Sequence, residues 1–141
     1  MKRPLRSPKL CQELGPRRSV RATSFRRHKS LNPAEEADFL DLVRRIQSGN
    51  EIPDRFYRPR SGEADQLLQN YGVLHLHLGE QTSDTLLFLI QFTDEVLFLE
   101  TNTHNRFARE CELLIQQHKL EPIPAFEVVH KKQRGKDPPK V

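Results

Sequence analysis

Residues 73–101 read VLHLHLGEQTSDTLLFLIQFTDEVLFLET, and this stretch decides the fold. Leucine fills every second position from 74 to 78, which predicts a strand with leucines on one face and two histidines on the other. Residues 85–92 are almost uniformly apolar, as in a central strand covered on both faces. A third apolar run, 96–101, follows a short polar turn. The two short connections predict an antiparallel β-meander.

Helical patterns lie on either side of this stretch. Asn32 and Pro33 suit the N-cap and the first position of a helix, and apolar residues follow at helical spacing until Gly49 and Pro53. A further apolar stripe over residues 107–118 predicts a closing helix. The fold class is therefore α+β, with an antiparallel meander of three to four strands and helices packed on it.

We predict one domain, at residues 32–120, between basic tails at residues 1–31 and 121–141. The chain has a net charge of +4, yet residues 1–30 contain ten Lys and Arg side chains against a single acidic one. Such composition predicts disorder in the first tail, with a short strand near residues 19–25 as the alternative. Three roles stay open for the tails: binding phosphates, folding back on the acidic domain, or remaining solvated.

Composition excludes several protein classes. At 141 residues the chain is long enough for one core, and its mean hydropathy is −0.71. No apolar run approaches the ~18 residues of a membrane span. Residues 1–14 lack the apolar segment of a secretory signal. The two cysteines do not form a disulfide framework, which favours a reducing, cytoplasmic setting.

Three interpretations of His75, His77 and His104 remain open. Each ring can simply hydrogen-bond locally. A His-x-His pair on a strand plus a distant third histidine also suits zinc, although no CxxC or HExxH pattern accompanies it. Histidines also serve as general acids and bases near neutral pH. Apart from the zinc alternative, no cofactor is predicted.

Four short motifs occur in a recognisable order along the chain. They are a polar turn before proline at residues 46–53, Tyr71 followed by His75, Asp84-Thr-Leu-Leu87, and Thr103-His-Asn-Arg-Phe107. In this order they resemble the RelE superfamily of bacterial toxins, most closely its YafQ branch. The resemblance spans about half of the chain and implies a RelE-toxin-like α+β fold.

The resemblance also implies a function and a set of site residues. Its members are endoribonucleases (mRNA interferases) of toxin–antitoxin systems, which cleave mRNA, usually on the ribosome, with the RNA 2′-OH as nucleophile. It implies His75 as general base, His104 as general acid and Asp84 as an orienting or proton-accepting carboxylate. The residues assigned to RNA contact are Arg58, Arg60, Arg106 and Phe107, the last as a stacking platform.

Several residues depart from the family pattern. Thr85 stands where the family has an aromatic residue, the chain has no Trp, and the central domain is acidic. His77 has no counterpart and is a further phosphate contact or, in the zinc interpretation, a metal ligand. These departures keep open a non-catalytic RNA- or protein-binding module of the same fold.

Overall fold

The computed structural model describes residues 3–27, 30–57, 62–80, 83–103 and 111–123. The elements in chain order are β1 (Arg18–Arg27), α1 (Pro33–Ser48), α2 (Gly62–Tyr71), β2 (Val73–His77), β3 (Thr85–Gln91), β4 (Glu95–Thr103) and α3 (Cys111–Gln117). Short 3-10 turns form at Gln12–Leu14 and Asp54–Phe56. The predicted α+β class is confirmed.

The four strands form one sheet in the order β1-β4-β3-β2. Strands β2, β3 and β4 pair antiparallel as the predicted meander does. Strand β1, however, lies parallel to β4, so the sheet is mixed and the prediction of a purely antiparallel sheet is wrong. Tight turns mark the meander in the sequence, whereas no local signal marks a pairing between strands that are some seventy residues apart.

The N-terminal region packs on the domain instead of preceding it. The prediction placed residues 1–31 in a tail, but β1 belongs to the sheet and Leu10 is buried in the core. The Arg17 guanidinium donates to the side chain of Gln91 and to the carbonyl of Cys11. In the sequence, one leucine and one arginine are too few to outweigh the polar composition of this segment, so its packing on the domain was not predicted. Most of the second tail lies outside the described residues.

Each face of the sheet carries its own core. On one face, here called the α1 face, Phe39, Leu42 and Ile46 of α1 pack on the leucines of β2 and on β3 and β4. On the opposite face, here called the α3 face, Leu114 of α3 packs with Phe88 and other apolar strand residues. Strand β3 is buried at every position, as its uniform apolar character predicts. In the described part of the chain no helix is long and apolar enough to cross a membrane.

Helix α1 begins and ends as its sequence predicts. The Asn32 side chain accepts from the Glu35 N–H at 2.8 Å, and the Glu35 side chain accepts from the Asn32 N–H at 3.0 Å, which completes a capping box. Gly49 ends the helix with φ +75°. A Cβ at Gly49 would come within 2.8 Å of the Pro16 backbone nitrogen, so glycine also permits the N-terminal segment to pack there.

Candidate functional site

His75 and His77 lie on the α3 face, opposite the leucines, as the alternation of β2 predicts. Their ring centroids are 5.2 Å apart, and the His75 ring lies 6.4 Å from that of Phe88. Both residues are buried, with relative exposures of 6% and 3%. Direct contact between these rings and a large substrate therefore requires local rearrangement.

Asp84 lies elsewhere. It is exposed and lines a groove at the N-terminal end of α1 together with Asn32, Glu35 and Ser83. The described residues thus do not bring Asp84 to His75, which faces the other side of the sheet. Thr85, the next residue, donates its hydroxyl to Glu35 on the α1 face at 2.7 Å.

Five predicted site residues lie outside the described residues: Arg58, Arg60, His104, Arg106 and Phe107. The three-histidine zinc site includes His104 and so remains a prediction. Among the residues that the structure does describe, no group of three or more His, Cys, Asp or Glu side chains is placed to hold a metal ion.

A β-bulge in β4 sets the direction of Glu100. Phe88 pairs with Glu100, but the next residue of β3, Leu89, pairs with Phe98, so Leu99 is the extra residue of the bulge. Directly paired residues share a face, which places Glu100 on the α3 face with Phe88 and His75. The bulge therefore puts a carboxylate into an apolar face, where it needs hydrogen-bond donors.

His118, just after α3, supplies one of those donors. Its Nε2 lies 2.8 Å from Oε1 of Glu100, and its Nδ1 lies 2.7 Å from the hydroxyl of Ser24. The side chains of His118 and Glu100 are both fully buried, whereas Ser24 is half-buried. Asn102 donates to the second oxygen of Glu100 at 3.1 Å. Ser24, His118 and Glu100 thus form a continuous hydrogen-bonded chain, here called the serine–histidine–glutamate chain.

The serine–histidine–glutamate chain was not predicted from the sequence. Ser24 lay in the predicted tail, and His118 appeared only as the last member of a helical stripe. One signal was available: Glu100 follows the apolar run of β4, and a carboxylate at a buried strand position needs a partner. The register of β1 with β4 shifts between Arg21 and Arg26, and Ser24 lies within that irregular segment.

Strand β1 forms one edge of the sheet and carries four exposed arginines, here called the arginine edge: Arg18, Arg21, Arg26 and Arg27. Arg21 lies on the α1 face, over the Phe39 ring, and Arg26 lies on the α3 face as the register partner of Glu100. Arg18 forms an ion pair with Glu95 at 2.6 Å, and Arg27 forms one with Glu36 at 2.9 Å. Arg21 stacks over Phe25 and Phe39 at 5.2 and 5.6 Å. Within the described residues, no carboxylate forms an ion pair with Arg21 or Arg26. Their guanidinium groups therefore remain available to an anionic partner.

Two further polar groups hold the N-terminal segment in place. Burial lowers the pKa of the Arg17 guanidinium, whose donors reach neutral oxygens of Gln91, Phe92 and Cys11. The Tyr57 hydroxyl accepts the N–H of Leu10 at 3.0 Å, and burial raises the pKa of this phenol. Both contacts fix the segment that leads into β1.

Asp38 joins α1 to the loop after β2. It accepts two hydrogen bonds from Arg55, at 2.8 and 3.0 Å, and one from the N–H of Gly79 at 2.7 Å. Burial, the largest single influence, acts to raise the pKa of Asp38, but the hydrogen bonds and charge of Arg55 together with the Gly79 N–H outweigh it. The pKa of Asp38 is therefore lowered, and that of Arg55 is raised, chiefly by its hydrogen bond to Asp38.

We expect Asp38→Asn to lower the free energy of unfolding by about 1–3 kcal/mol at pH 7. Because the folded pKa is depressed, this stability is present above the unfolded pKa of about 4 and is lost as the pH falls through the folded value. Urea unfolding of the wild type and of the Asp38→Asn variant at several pH values measures this difference in the free energy of unfolding. Asp41→Asn, which breaks a partly buried i,i+4 pair with Arg45, is the control and should cost at most about 0.5 kcal/mol. A wild-type advantage that persists undiminished below about pH 3 would contradict the assignment.

Comparisons with known proteins leave the site to be judged on its own geometry. A scan against protein-family models, a search of curated proteins and a search of solved structures each found no match.

Proposed function

We propose that the protein binds RNA along the arginine edge of β1. The observation that carries this proposal is the exposure of Arg21 and Arg26 on a sheet edge, without ion pairs to the described carboxylates. Guanidinium groups bind phosphate oxygens through paired, planar hydrogen bonds. Such contacts release counterions from the nucleic acid and so confer affinity that falls with salt. The predicted cytoplasmic setting places the protein in the same compartment as mRNA and ribosomes.

Removing both charges should weaken binding in a salt-dependent way. We expect the double variant Arg21→Gln, Arg26→Gln to bind a single-stranded RNA of about 20 nucleotides roughly tenfold more weakly at low salt. The slope of log affinity against log salt should become shallower by about 1 to 1.5, since each lost phosphate contact removes about 0.7. Fluorescence anisotropy of labelled RNA over a salt series measures both quantities.

Arg44→Gln is the control, because Arg44 is exposed and belongs to α1 and not to β1. It removes one positive charge and should leave the salt slope within error of the wild type. Because Arg44→Gln removes one charge and the β1 variant removes two, a loss of log affinity half as large in the Arg44 variant would show that only net charge matters, and the proposed site would fail.

A second candidate function is cleavage of the bound RNA, as expected of a RelE-like mRNA interferase restrained by an antitoxin. The specific observation in its favour is that His75, Phe88 and Glu100 form one row across three strands on a common face. Neighbouring strands lie about 4.8 Å apart, so the backbones of His75 and Glu100 are separated by about 10 Å. A base and an acid at the two ends of such a row can transfer protons, but all three side chains are buried, so a phosphodiester reaches them only after the local rearrangement described above.

Expression in bacteria and in a translating extract tests this second function. We expect growth arrest and mRNA cleavage with the wild type, and loss of both with His75→Asn or His104→Ala. The control is Arg44→Gln, which should arrest growth like the wild type. RNA binding without cleavage by the wild type would leave the protein as a non-catalytic RNA-binding module.

A further inference from the structure

The serine–histidine–glutamate chain has the connectivity of a nucleophilic serine site. A buried carboxylate contacts one ring nitrogen of His118, and the other ring nitrogen contacts a hydroxyl that is only half-buried. With a proton on Nε2, the ring donates to Glu100 and its Nδ1 accepts from the Ser24 hydroxyl. The three residues come from β1, β4 and the segment after α3, so they converge only in the folded protein.

We propose that Ser24, His118 and Glu100 form a hydrolytic site for carboxylic esters that carry a negative charge. The site shares Arg26 with the proposed RNA-binding edge, but its nucleophile, base and carboxylate take no part in RNA binding, and its test uses no RNA. Ser24 is the nucleophile, His118 is the general base and then the general acid, and Glu100 holds the ring and balances its positive charge. Asn102 fixes the Glu100 carboxylate by donating to its second oxygen.

In the first step the Ser24 Oγ attacks the ester carbonyl carbon while its proton moves to Nδ1 of His118. The carbonyl π electrons move to the oxygen, and the tetrahedral intermediate then expels the alcohol, which takes the proton from Nδ1. Water next gives a proton to Nδ1, its oxygen attacks the acyl-Ser24 carbonyl, and Ser24 leaves with that proton. The sum is ester plus water giving acid plus alcohol, with no change of oxidation state.

Burial makes the serine–histidine–glutamate chain suitable for nucleophilic catalysis. His118 and Glu100 are fully shielded from water, so the carboxylate stabilises a developing imidazolium more strongly than it would in solvent. Ser24 is the accessible end of the chain, on the irregular stretch of an edge strand. A hydrogen bond that only fastened α3 to the sheet would not require its hydroxyl partner to be a residue that is only half-buried.

The surroundings of Ser24 indicate the substrate class. Arg26 lies two positions further along β1, about 7 Å away at strand spacing, and is exposed. Arg26 is also the register partner of Glu100. A guanidinium at this distance binds a carboxylate or phosphate group on the ester substrate. The site therefore favours anionic esters over neutral ones.

An alkyl fluorophosphonate is the probe for the nucleophile, because it labels activated serines with loss of fluoride. We expect peptide mass spectrometry of the full-length protein to find the label on Ser24. Ser83 is the internal control: its hydroxyl donates to a carboxylate, Glu35, at 2.6 Å without an intervening histidine, and it should stay unlabelled. Ser24→Ala should abolish labelling and keep the circular dichroism spectrum of the wild type.

Labelling rates separate catalysis from a structural bond. We expect His118→Gln to slow labelling roughly 100-fold and Glu100→Gln roughly tenfold or more. Mono-4-nitrophenyl succinate should be hydrolysed faster than 4-nitrophenyl acetate, and Arg26→Gln should remove that preference. No label on the wild type, when a known serine esterase labels in parallel, would overturn the proposal. Equal labelling of Ser24→Ala would overturn it too.

Discussion

We expect Glu35→Ala to lower the free energy of unfolding by about 3–5 kcal/mol at pH 7. Glu35 is 1% exposed and closes the capping box with Asn32 through one carboxylate oxygen. Its other oxygen accepts the hydroxyls of Ser83 at 2.6 Å and of Thr85 at 2.7 Å. Alanine would remove this acceptor from Thr85, which is itself fully buried. Loss of an acceptor inside the protein costs its donors their full desolvation penalty.

Urea unfolding followed by circular dichroism measures this loss. Glu36→Ala is the matched control one residue further along α1, where an exposed pair with Arg27 is broken. That variant should lose less than about 1 kcal/mol. A Glu35 variant within about 1 kcal/mol of the wild type would mean that the contacts to Ser83 and Thr85 do not form.

We expect His118→Ala to cost about 3–5 kcal/mol, because it removes a donor from a carboxylate that is fully shielded from water. Removing one member of a buried polar pair is more harmful than replacing both with apolar residues. The double variant Glu100→Leu, His118→Leu should therefore recover much of the stability that His118→Ala loses.

The double-mutant cycle from chemical unfolding tests that expectation. Coupling between the two positions should exceed about 1 kcal/mol. Asp41→Ala, which breaks the partly buried i,i+4 pair with Arg45, is a control expected to lose less than about 1 kcal/mol. Additive effects at Glu100 and His118 would show that the two side chains do not interact.

Local chemistry explains which parts of the fold could be predicted. The capping box of Asn32 and Glu35 involves residues three positions apart, and the meander follows from alternation and short turns. The position of β1 could not be predicted in the same way, since its parallel partner β4 lies far along the chain. The second role of Glu35, as acceptor for Ser83 and Thr85, could not be predicted either, because these hydroxyl donors follow some fifty residues later in the sequence.

The candidate site was predictable only in part. Alternation placed His75 and His77 on one face correctly, but it carried no information on how deeply they are buried. The serine–histidine–glutamate chain depends on the bulge at Leu99, which turns Glu100 towards His118. A bulge inserts a single residue and leaves no composition signature, so the convergence of Ser24, Glu100 and His118 emerges only from the sheet register.

The arginine edge is the central element of the proposed function, and amide chemical-shift mapping tests it most directly. Isotope-labelled protein is titrated with a short single-stranded RNA at low salt. RNA binding along β1 predicts that the largest shifts fall on residues 18–27, with little change along β2 at the opposite edge of the sheet. Shifts confined to the groove beside Asp84, or no shifts at all at low salt, would contradict it.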